Sequence, residues 1–154
     1  MRTYLSRSSA KTKKIAGGFA KKVLRLKPSR RAVVVGFVGD LGAGKTTFIQ
    51  GFLRALGVRG RITSPTFVLI KRYRISHKPL AISRKTQHAA YHVDSYRLKN
   101  HRDLATLDFK KIISDSNNII LIEWAEKIKK ILPKGTIWIK FNHGKKENER
   151  RILL

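Results

Sequence analysis

The chain has 154 residues, enough for a hydrophobic core, and we expect residues 1–154 to form a single domain. It contains no cysteine, which excludes disulfides and thiolate metal sites, and its apolar runs fall far short of the ~20 residues of a membrane span. Thirty-five Lys and Arg against nine Asp and Glu give a formal net charge of +26. A field of that sign attracts polyanions such as nucleic acid, although a proteome biased toward Lys and Arg would give the same charge.

The N-terminal part of the chain is basic and free of acidic residues. Residues 1–8 are rich in Arg, Ser and Thr, and we predict that they are disordered. From Ser9 a helical pattern begins, with Ser8 or Ser9 as its cap and Pro28 as its end. Its apolar stripe consists of Ile15, Phe19, Val23 and Leu26. A transit peptide or a membrane-surface helix would share this composition. We favour a surface helix that packs its stripe on the sheet.

A phosphate-binding loop follows. The β-branched run from Ala32 to Val38 is typical of a buried strand, and a helical pattern runs from Lys45 to Leu56. Between them the chain reads Gly39-Asp40-Leu41-Gly42-Ala43-Gly44-Lys45-Thr46-Thr47. Strand, glycine-rich loop and helix N-terminus, in this order, form the binding site of a nucleoside triphosphate.

Each residue type in this loop has a physical role. Gly39, Gly42 and Gly44 let the backbone approach phosphate oxygens, and the free N–H groups of the helix N-terminus face the anion. Lys45 places a charge at the β- and γ-phosphates. The Thr46 hydroxyl is placed to ligate Mg²⁺.

The rest of the chain predicts further strands with helices between them. Pro65 indicates a turn before a strand, and residues 76–90 read as a long basic hairpin loop. The predicted strands are 67–75, 89–93, 119–123, 136–141 and 150–154, the last of them an edge strand. The predicted helices are 102–114 and 125–132. The fold class is therefore α/β, a three-layer P-loop domain whose mixed sheet has antiparallel hairpins and two parallel central strands.

Two carboxylates follow apolar strands, where an Mg²⁺–nucleotide site needs them. Glu123 ends the run from Ile119 and is typical of a metal-holding acid in P-loop proteins. Asp94 follows the return strand; it either orients water or ligates the metal, or it caps a helix. Thr66 occupies a position comparable to the γ-phosphate sensor of GTPases. We interpret Trp124 as a core residue by default and His92 as structural.

Taken together, four motifs resemble those of the TsaE family, also called YjeE. They are Gly39 to Thr47, Ser64-Pro65-Thr66-Phe67, Tyr91-His92-Val93-Asp94-Ser95-Tyr96-Arg97-Leu98, and Ile122-Glu123-Trp124-Ala125-Glu126. They occur in the family's order, so the resemblance extends from about Ser9 to Leu154. The family comprises bacterial P-loop ATPases of tRNA threonylcarbamoyladenosine biosynthesis.

The resemblance implies a function and a set of site residues. It implies a cytoplasmic, weak, Mg²⁺-dependent ATPase that binds ATP and ADP and resets the TsaB–TsaD complex, which modifies adenosine 37 of tRNA. The phosphates would be bound by Gly39, Asp40, Gly42, Ala43, Gly44, Lys45, Thr46 and Thr47. Thr46, Glu123 and Asp94 would form the metal site, and the catalytic set would be Lys45, Asp94, Glu123 and Thr66. Thr12 and Arg151 would add contacts to the nucleotide.

The chain departs from the family pattern in charge, in the length of the 76–90 loop and in the few acids after Arg97. Because of these departures, tRNA remains a possible further partner, bound directly by the basic surface. Other function classes also stay open: a small-molecule kinase on the same scaffold, and a basic RNA-binding protein that keeps the loop as a relic. A GTPase is discounted, because the sequence has neither Asn-Lys-x-Asp nor Asp-x-x-Gly.

Overall fold

Seven strands of the chain form one mixed sheet. The structure is a computed structural model and describes residues 2–26, 30–65, 68–75, 89–98, 104 and 108–154. The strands are β1 (Thr3–Ser6), β2 (Val33–Val38), β3 (Ile70–Arg74), β4 (Ala89–Asp94), β5 (Asn118–Glu123), β6 (Ile137–His143) and β7 (Arg150–Leu153). The helices are α1 (Ser9–Leu24), α2 (Lys45–Ala55) and α3 (Phe109–Ser114), and a 3₁₀ segment covers Ala125–Ile131.

The strand order is β1-β7-β6-β2-β5-β4-β3. The phosphate-loop strand β2 pairs in parallel with β5 and with β6, and β5 pairs in parallel with β4. The outer pairs β3–β4, β6–β7 and β1–β7 are antiparallel. The predicted mixed sheet, with its two hairpins and with the strands of the phosphate loop and of Glu123 side by side, is confirmed.

The two faces of the sheet carry separate hydrophobic cores, because side chains alternate along each strand. Val35 and Leu121 pack with α1 and α2 on one face, whereas Val34 and Ile122 pack with α3 and the 3₁₀ segment on the other. The predicted core face of α2 is confirmed: Phe48, Ile49, Phe52, Leu53 and Leu56 are fully buried. The three layers place the N-terminus of α2 over the ends of β2 and β5.

Helix α1 packs closely against α2. Ser8 caps α1, its hydroxyl accepting a hydrogen bond from the Lys11 N–H at 3.1 Å. The buried residues of α1 are Thr12, Ala16, Ala20 and Val23. Of the predicted apolar stripe, Val23 is buried and Ile15 and Phe19 pack half-buried against the same core, whereas Leu26 lies beyond the helix and is 48% exposed. The helix ends at Leu24, and Pro28 lies outside the described residues.

The N-terminal strand corrects two predictions. Residues 1–8 were expected to be disordered, but Thr3–Ser6 form β1, which pairs with β7 from Thr3 opposite Leu153 to Ser6 opposite Arg150. For the same reason β7 is not an edge strand. The signal was missed because four residues are too few for a periodic pattern, and their stability comes from pairing with a segment far away in sequence.

Smaller differences concern the middle of the chain. The strand predicted over 67–75 begins at Ile70, because Leu69 adopts a positive φ of 60° and the Val68 and Leu69 N–H groups bond to the Pro65 carbonyl. Residues 66–67, 76–88, 99–103 and 105–107 lie outside the described part of the chain. So does most of the predicted 76–90 loop, whose last two residues belong to β4. Of the helix predicted over 102–114, α3 covers Phe109–Ser114.

In the described part of the chain, no helix combines the length and the apolar character needed to cross a lipid bilayer.

Candidate nucleotide site

The phosphate loop lies between β2 and α2, as the motif predicts. Gly44 is the N-cap of α2 and has a φ of 99°, which a residue with a side chain rarely adopts. Gly39 has a φ of 140°, and a Cβ there would lie 2.3 Å from the Phe141 carbonyl oxygen. These two positions require glycine, one for the turn into the helix and one for the contact with β6.

Lys45 is held under the loop. Its Nζ donates hydrogen bonds to the carbonyls of Gly39 at 2.6 Å and Asp40 at 2.8 Å, and lies 3.8 Å from the centroid of a Trp124 ring. The side chain is 4% exposed, and burial lowers its pKa from the ordinary value of 10.5. Carboxylates nearby oppose this shift of the pKa, in decreasing order Glu123, Glu126, Asp40 and Asp94.

Thr46 and Glu123 meet directly, although they are far apart in sequence. The Thr46 hydroxyl lies 2.9 Å from both carboxylate oxygens of Glu123. On the other side, His92 Nε2 lies 2.8 Å from Glu123 Oε1, and the imidazole is fully buried. His92 is thus more than a core histidine, because it fixes the orientation of the acid that faces the helix N-terminus.

Asp94 is the neighbour of Glu123 on the adjacent parallel strand. It is 7% exposed, and its oxygens accept hydrogen bonds from the Ser64 hydroxyl at 3.3 Å and the Tyr96 N–H at 3.0 Å. The segment that contains Ser64 is tied to β3, since Lys71 Nζ donates to the Thr63 hydroxyl and the Ser64 carbonyl. Thr66, the predicted γ-phosphate sensor, lies outside the described residues.

The loop, the first turn of α2, Glu123 and Trp124 line a cavity of about 260 Å³, and Asp94 lies outside this lining. Its lining consists of Leu41, Gly42, Gly44, Lys45, Thr46, Thr47, Glu123 and Trp124. Trp124 adopts a positive φ of 57° directly after β5, which turns its ring toward the loop, where it also packs against Tyr96 at 5.0 Å between centroids. Its interpretation as a core residue was therefore wrong.

A family model described as "Threonylcarbamoyl adenosine biosynthesis protein TsaE" matches residues 6–152. The chain belongs to the TsaE family. Two curated proteins named "tRNA threonylcarbamoyladenosine biosynthesis protein TsaE" illustrate the similarity. The one from Haemophilus influenzae is 35% identical over 125 residues, 81% of this chain and 72% of that protein. The one from Rickettsia bellii is 34% identical over 146 residues, 94% of this chain and 88% of that protein.

A solved structure agrees with this assignment. The crystal structure of Bacillus subtilis YdiB superposes with a TM-score of 0.69 and 26% identity, covering 98% of this chain and 82% of that chain. The mixed α/β fold of this TsaE-family chain is thus shared with an experimentally solved protein.

Two residues that the TsaE resemblance suggested as nucleotide contacts do not line the cavity at the phosphate loop. Thr12 is buried between α1 and β1, with its hydroxyl 2.8 Å from Ser6 Oγ. Arg151 is exposed on β7. Neither is among the described residues that line the cavity.

In this TsaE-family chain, two further side chains contact carbonyls of the phosphate loop from the side of the β6–β7 hairpin. No sequence motif had indicated either of them. Arg150 Nε donates to the Gly42 carbonyl at 3.1 Å, and His143 Nε2 lies 3.2 Å from the Leu41 carbonyl. Both belong to the β6–β7 hairpin. The only sequence signal for them was the prediction of that hairpin, which does not tell which loop it contacts.

The donor set fits a magnesium ion bound together with phosphates. A hydroxyl and a carboxylate within 2.9 Å of each other offer hard oxygen ligands, and Mg²⁺ in such sites takes one or two protein ligands and fills the rest with phosphate and water. Among the described residues no group of three or more His, Asp and Glu offers a metal site made of protein ligands alone. An ion at the Thr46–Glu123 pair would therefore need phosphate or water to complete its coordination.

Proposed function

We propose that this chain is a Mg²⁺-dependent ATPase that binds ATP and ADP and acts as a nucleotide switch on the TsaB–TsaD complex in tRNA N6-threonylcarbamoyladenosine biosynthesis. The single observation that supports it best is the contact of the Thr46 hydroxyl with both oxygens of Glu123, at the first turn of a helix that follows a phosphate loop. The membership in the TsaE family and the names of the relatives supply the pathway.

The proposed chemistry is electrostatic. The N–H groups of the loop and of the first turn of α2 point toward the phosphates, and Lys45 exchanges its carbonyl partners for phosphate oxygens. Thr46 and Glu123 would hold a Mg²⁺ ion, which would neutralise negative charge on the bound phosphates. Because Lys45 would release the carbonyls of Gly39 and Asp40 when phosphate binds, nucleotide binding would be coupled to the conformation of the loop.

We assign to Asp94 the orientation of the attacking water. Its carboxylate lies one strand away from Glu123 and is itself positioned by the Ser64 hydroxyl and the Tyr96 N–H. Thr66, two residues after Ser64, would then respond to the γ-phosphate. In this proposal the Ser64 contact links the hydrolytic carboxylate to the switch segment.

We further propose that the chain works in the cytoplasm with TsaB and TsaD, and that the positive charge of the surface adds tRNA as a partner. A group supplied in trans by a partner would complete the site by stabilising charge in the transition state. Turnover of ATP is then expected to be slow for the isolated chain and faster with TsaB–TsaD. Equal rates with and without the complex would contradict this part.

Purified TsaB–TsaD, tRNA and ATP provide the decisive experiment. The wild type and Lys45→Ala are compared for affinity to a fluorescent ATP analogue, for ATP turnover and for formation of threonylcarbamoyladenosine over several turnovers. Lys45→Ala is expected to lose all three. Lys134→Ala, at an exposed position outside the lining of the nucleotide cavity, is the matched control. Equal modification by wild type and Lys45→Ala would overturn the proposal.

A further inference from the structure

One face of α1 concentrates positive charge. At 3.6 residues per turn, five basic side chains fall within an arc of about 100° around the helix axis. They are Lys11, Lys14, Lys21, Lys22 and the C-cap residue Arg25. All five are exposed, and we call this set the basic stripe. Over the 14 steps from first to last it extends about 21 Å.

The stripe is fixed in place by the opposite face of the same helix. Ala16 and Ala20 are fully buried, and α1 and α2 approach so closely that a Cβ on Gly51 would lie 2.5 Å from the Lys13 Cα. The five charges are therefore presented on a rigid helix rather than on a loop, and their spacing is set before any ligand binds.

No acidic side chain offsets the stripe. The first acidic residue of the chain is Asp40. In the part of the chain that the structure describes, no carboxylate lies within ion-pairing distance of the five side chains. Like charges three or four residues apart repel one another, as in the pair Lys11–Lys14 and the pair Lys21–Arg25, and Lys11 also stands at the positive end of the helix dipole. Lys21, Lys22 and Arg25 lie at the C-terminal end of α1, where the helix dipole favours positive charge. The dipole does not account for Lys11 and Lys14 or for the alignment of all five charges on one face, and a polyanionic ligand would relieve the repulsion between them.

The surroundings of the stripe distinguish between two polyanionic surfaces. A helix that lies on a membrane inserts an apolar face between the lipids, but the apolar face of α1 is already buried against α2 and the sheet. What α1 offers to a ligand is charge alone, which suits the phosphodiester backbone of a nucleic acid.

We propose that the basic stripe of α1 binds the phosphate backbone of a folded RNA. Its contacts are to phosphates, so they position the RNA without reading its sequence. The surface is separate from the nucleotide cavity, whose described lining includes none of the five residues. Only the choice of tRNA as the probe rests on the proposed function.

The test compares two variants with the same loss of charge. In the stripe variant Lys11, Lys14, Lys21, Lys22 and Arg25 are all changed to Gln. In the control variant five other exposed lysines are changed to Gln, on α3, on the 3₁₀ segment and after it: Lys110, Lys111, Lys129, Lys130 and Lys134. Binding of a labelled tRNA transcript is measured by fluorescence anisotropy over a series of KCl concentrations.

The stripe variant is expected to bind tRNA at least about tenfold more weakly than the wild type in ~0.1 M KCl. The slope of log affinity against log salt should become shallower by about 3 to 5, near one for each lost phosphate contact. The control variant should stay within about threefold of the wild type. Equal losses in both variants would overturn the proposal, because the binding would then follow net charge and not this face.

Two further measurements complete the test. In the contrary outcome, the wild type binds vesicles that contain anionic phosphatidylglycerol more strongly than it binds tRNA, and the stripe variant loses this vesicle binding. That result would assign the stripe to a membrane surface and overturn the proposal. ATP affinity of the stripe variant should equal that of the wild type, and its melting temperature should not fall below the wild-type value, because the substitutions remove like-charge repulsion and no buried contact. Lys45→Ala should keep the tRNA affinity of the wild type. The tRNA-binding test therefore stays valid even if the protein proves not to be an ATPase.

Discussion

Glu123 is the residue on which most of the candidate site depends. It is 4% exposed and accepts hydrogen bonds from the Thr46 hydroxyl and from His92. Burying a carboxylate is costly unless its oxygens accept hydrogen bonds. Thr46 and His92, on either side, therefore determine where the carboxylate points.

Replacing Thr46 by Val should separate metal binding from nucleotide binding. The change keeps the shape of the side chain but removes the hydroxyl that touches both Glu123 oxygens. We expect Mg²⁺ to stop strengthening the binding of ATP, a loss of about tenfold or more, or ~1.4 kcal/mol. Affinity measured in EDTA should change little. Titration of a fluorescent ATP analogue with and without Mg²⁺ measures both, and an equal loss in EDTA would contradict the assignment.

His92→Ala should destabilise the protein and weaken the same metal dependence. It leaves Glu123 Oε1 without its buried donor, which typically costs about 1.5–3 kcal/mol for a hydrogen bond to a charged group. Urea unfolding measures the loss of free energy of unfolding, and the Mg²⁺ titration measures the effect on the site. His92→Gln retains an N–H donor and should recover part of both. If Ala and Gln variants were indistinguishable, the ring would act by filling space and not by its hydrogen bond.

The sequence alone predicted those residues of the candidate site that belong to a local motif. Lys45 and Thr46 follow from the loop pattern, and Glu123 from its place at the end of an apolar strand. Trp124 was misjudged because its role arises from a distant contact with the lysine under the loop. His92 is structural, as the sequence indicated, but its partner, an acid on the next strand, could not be predicted. A single histidine in an apolar strand carries no signal of that kind in sequence.

At the level of elements, the contact between α1 and α2 depends on glycine. A Cβ at Gly51 would lie 2.5 Å from the Lys13 Cα and 2.7 Å from the Lys13 carbonyl oxygen, both backbone atoms. The helices cannot accept a side chain there without moving apart. The distance between α1 and α2 therefore depends on Gly51, a single position in α2.

Gly51→Ala and Gly18→Ala form a matched pair of predictions with opposite signs. We expect Gly51→Ala to lower the free energy of unfolding by about 1–3 kcal/mol, because overpacking separates the helices. Gly18 lies in the interior of α1, and a methyl group added there would have nothing within 4 Å, so Gly18→Ala should raise the free energy of unfolding by about 0.5–1 kcal/mol. Chemical denaturation of both variants provides the measurement. A stabilised Gly51→Ala variant would show that the helices separate easily.

The elements that the sequence predicted well are those with long periodic patterns, such as α2 and β5. β1 was missed, and the start of α3 after Asp108, which has a φ of 52°, was not predicted, because four and six residues carry too little periodicity to define an element. Their stability comes from tertiary contacts: β1 pairs with β7, and α3 buries Phe109 and Ile113 against the second core. Intrinsic propensity cannot reveal such contacts.

For the whole molecule, the net charge of +26 opposes folding through repulsion between like charges. Salt screens this repulsion, with a Debye length of about 10 Å at 0.1 M and about 3 Å at 1 M. We therefore expect the melting temperature to rise between 20 mM and 500 mM KCl. Each 1 kcal/mol of relieved repulsion should raise it by about 2–4 °C at this chain length. Calorimetry measures the shift, with sucrose of equal osmolarity as the control, and a melting temperature that falls with KCl would contradict the prediction.

The pairing of β1 with β7 has a consequence for biosynthesis. Of the seven strands, β1 is synthesised first and β7 last, so β1 stays unpaired until the other five strands and the phosphate loop have been made. The hydrogen bond from the Arg2 N–H to the Leu154 carbonyl forms at the same late stage. A nascent chain that stalls before β7 would therefore expose β1 to chaperones.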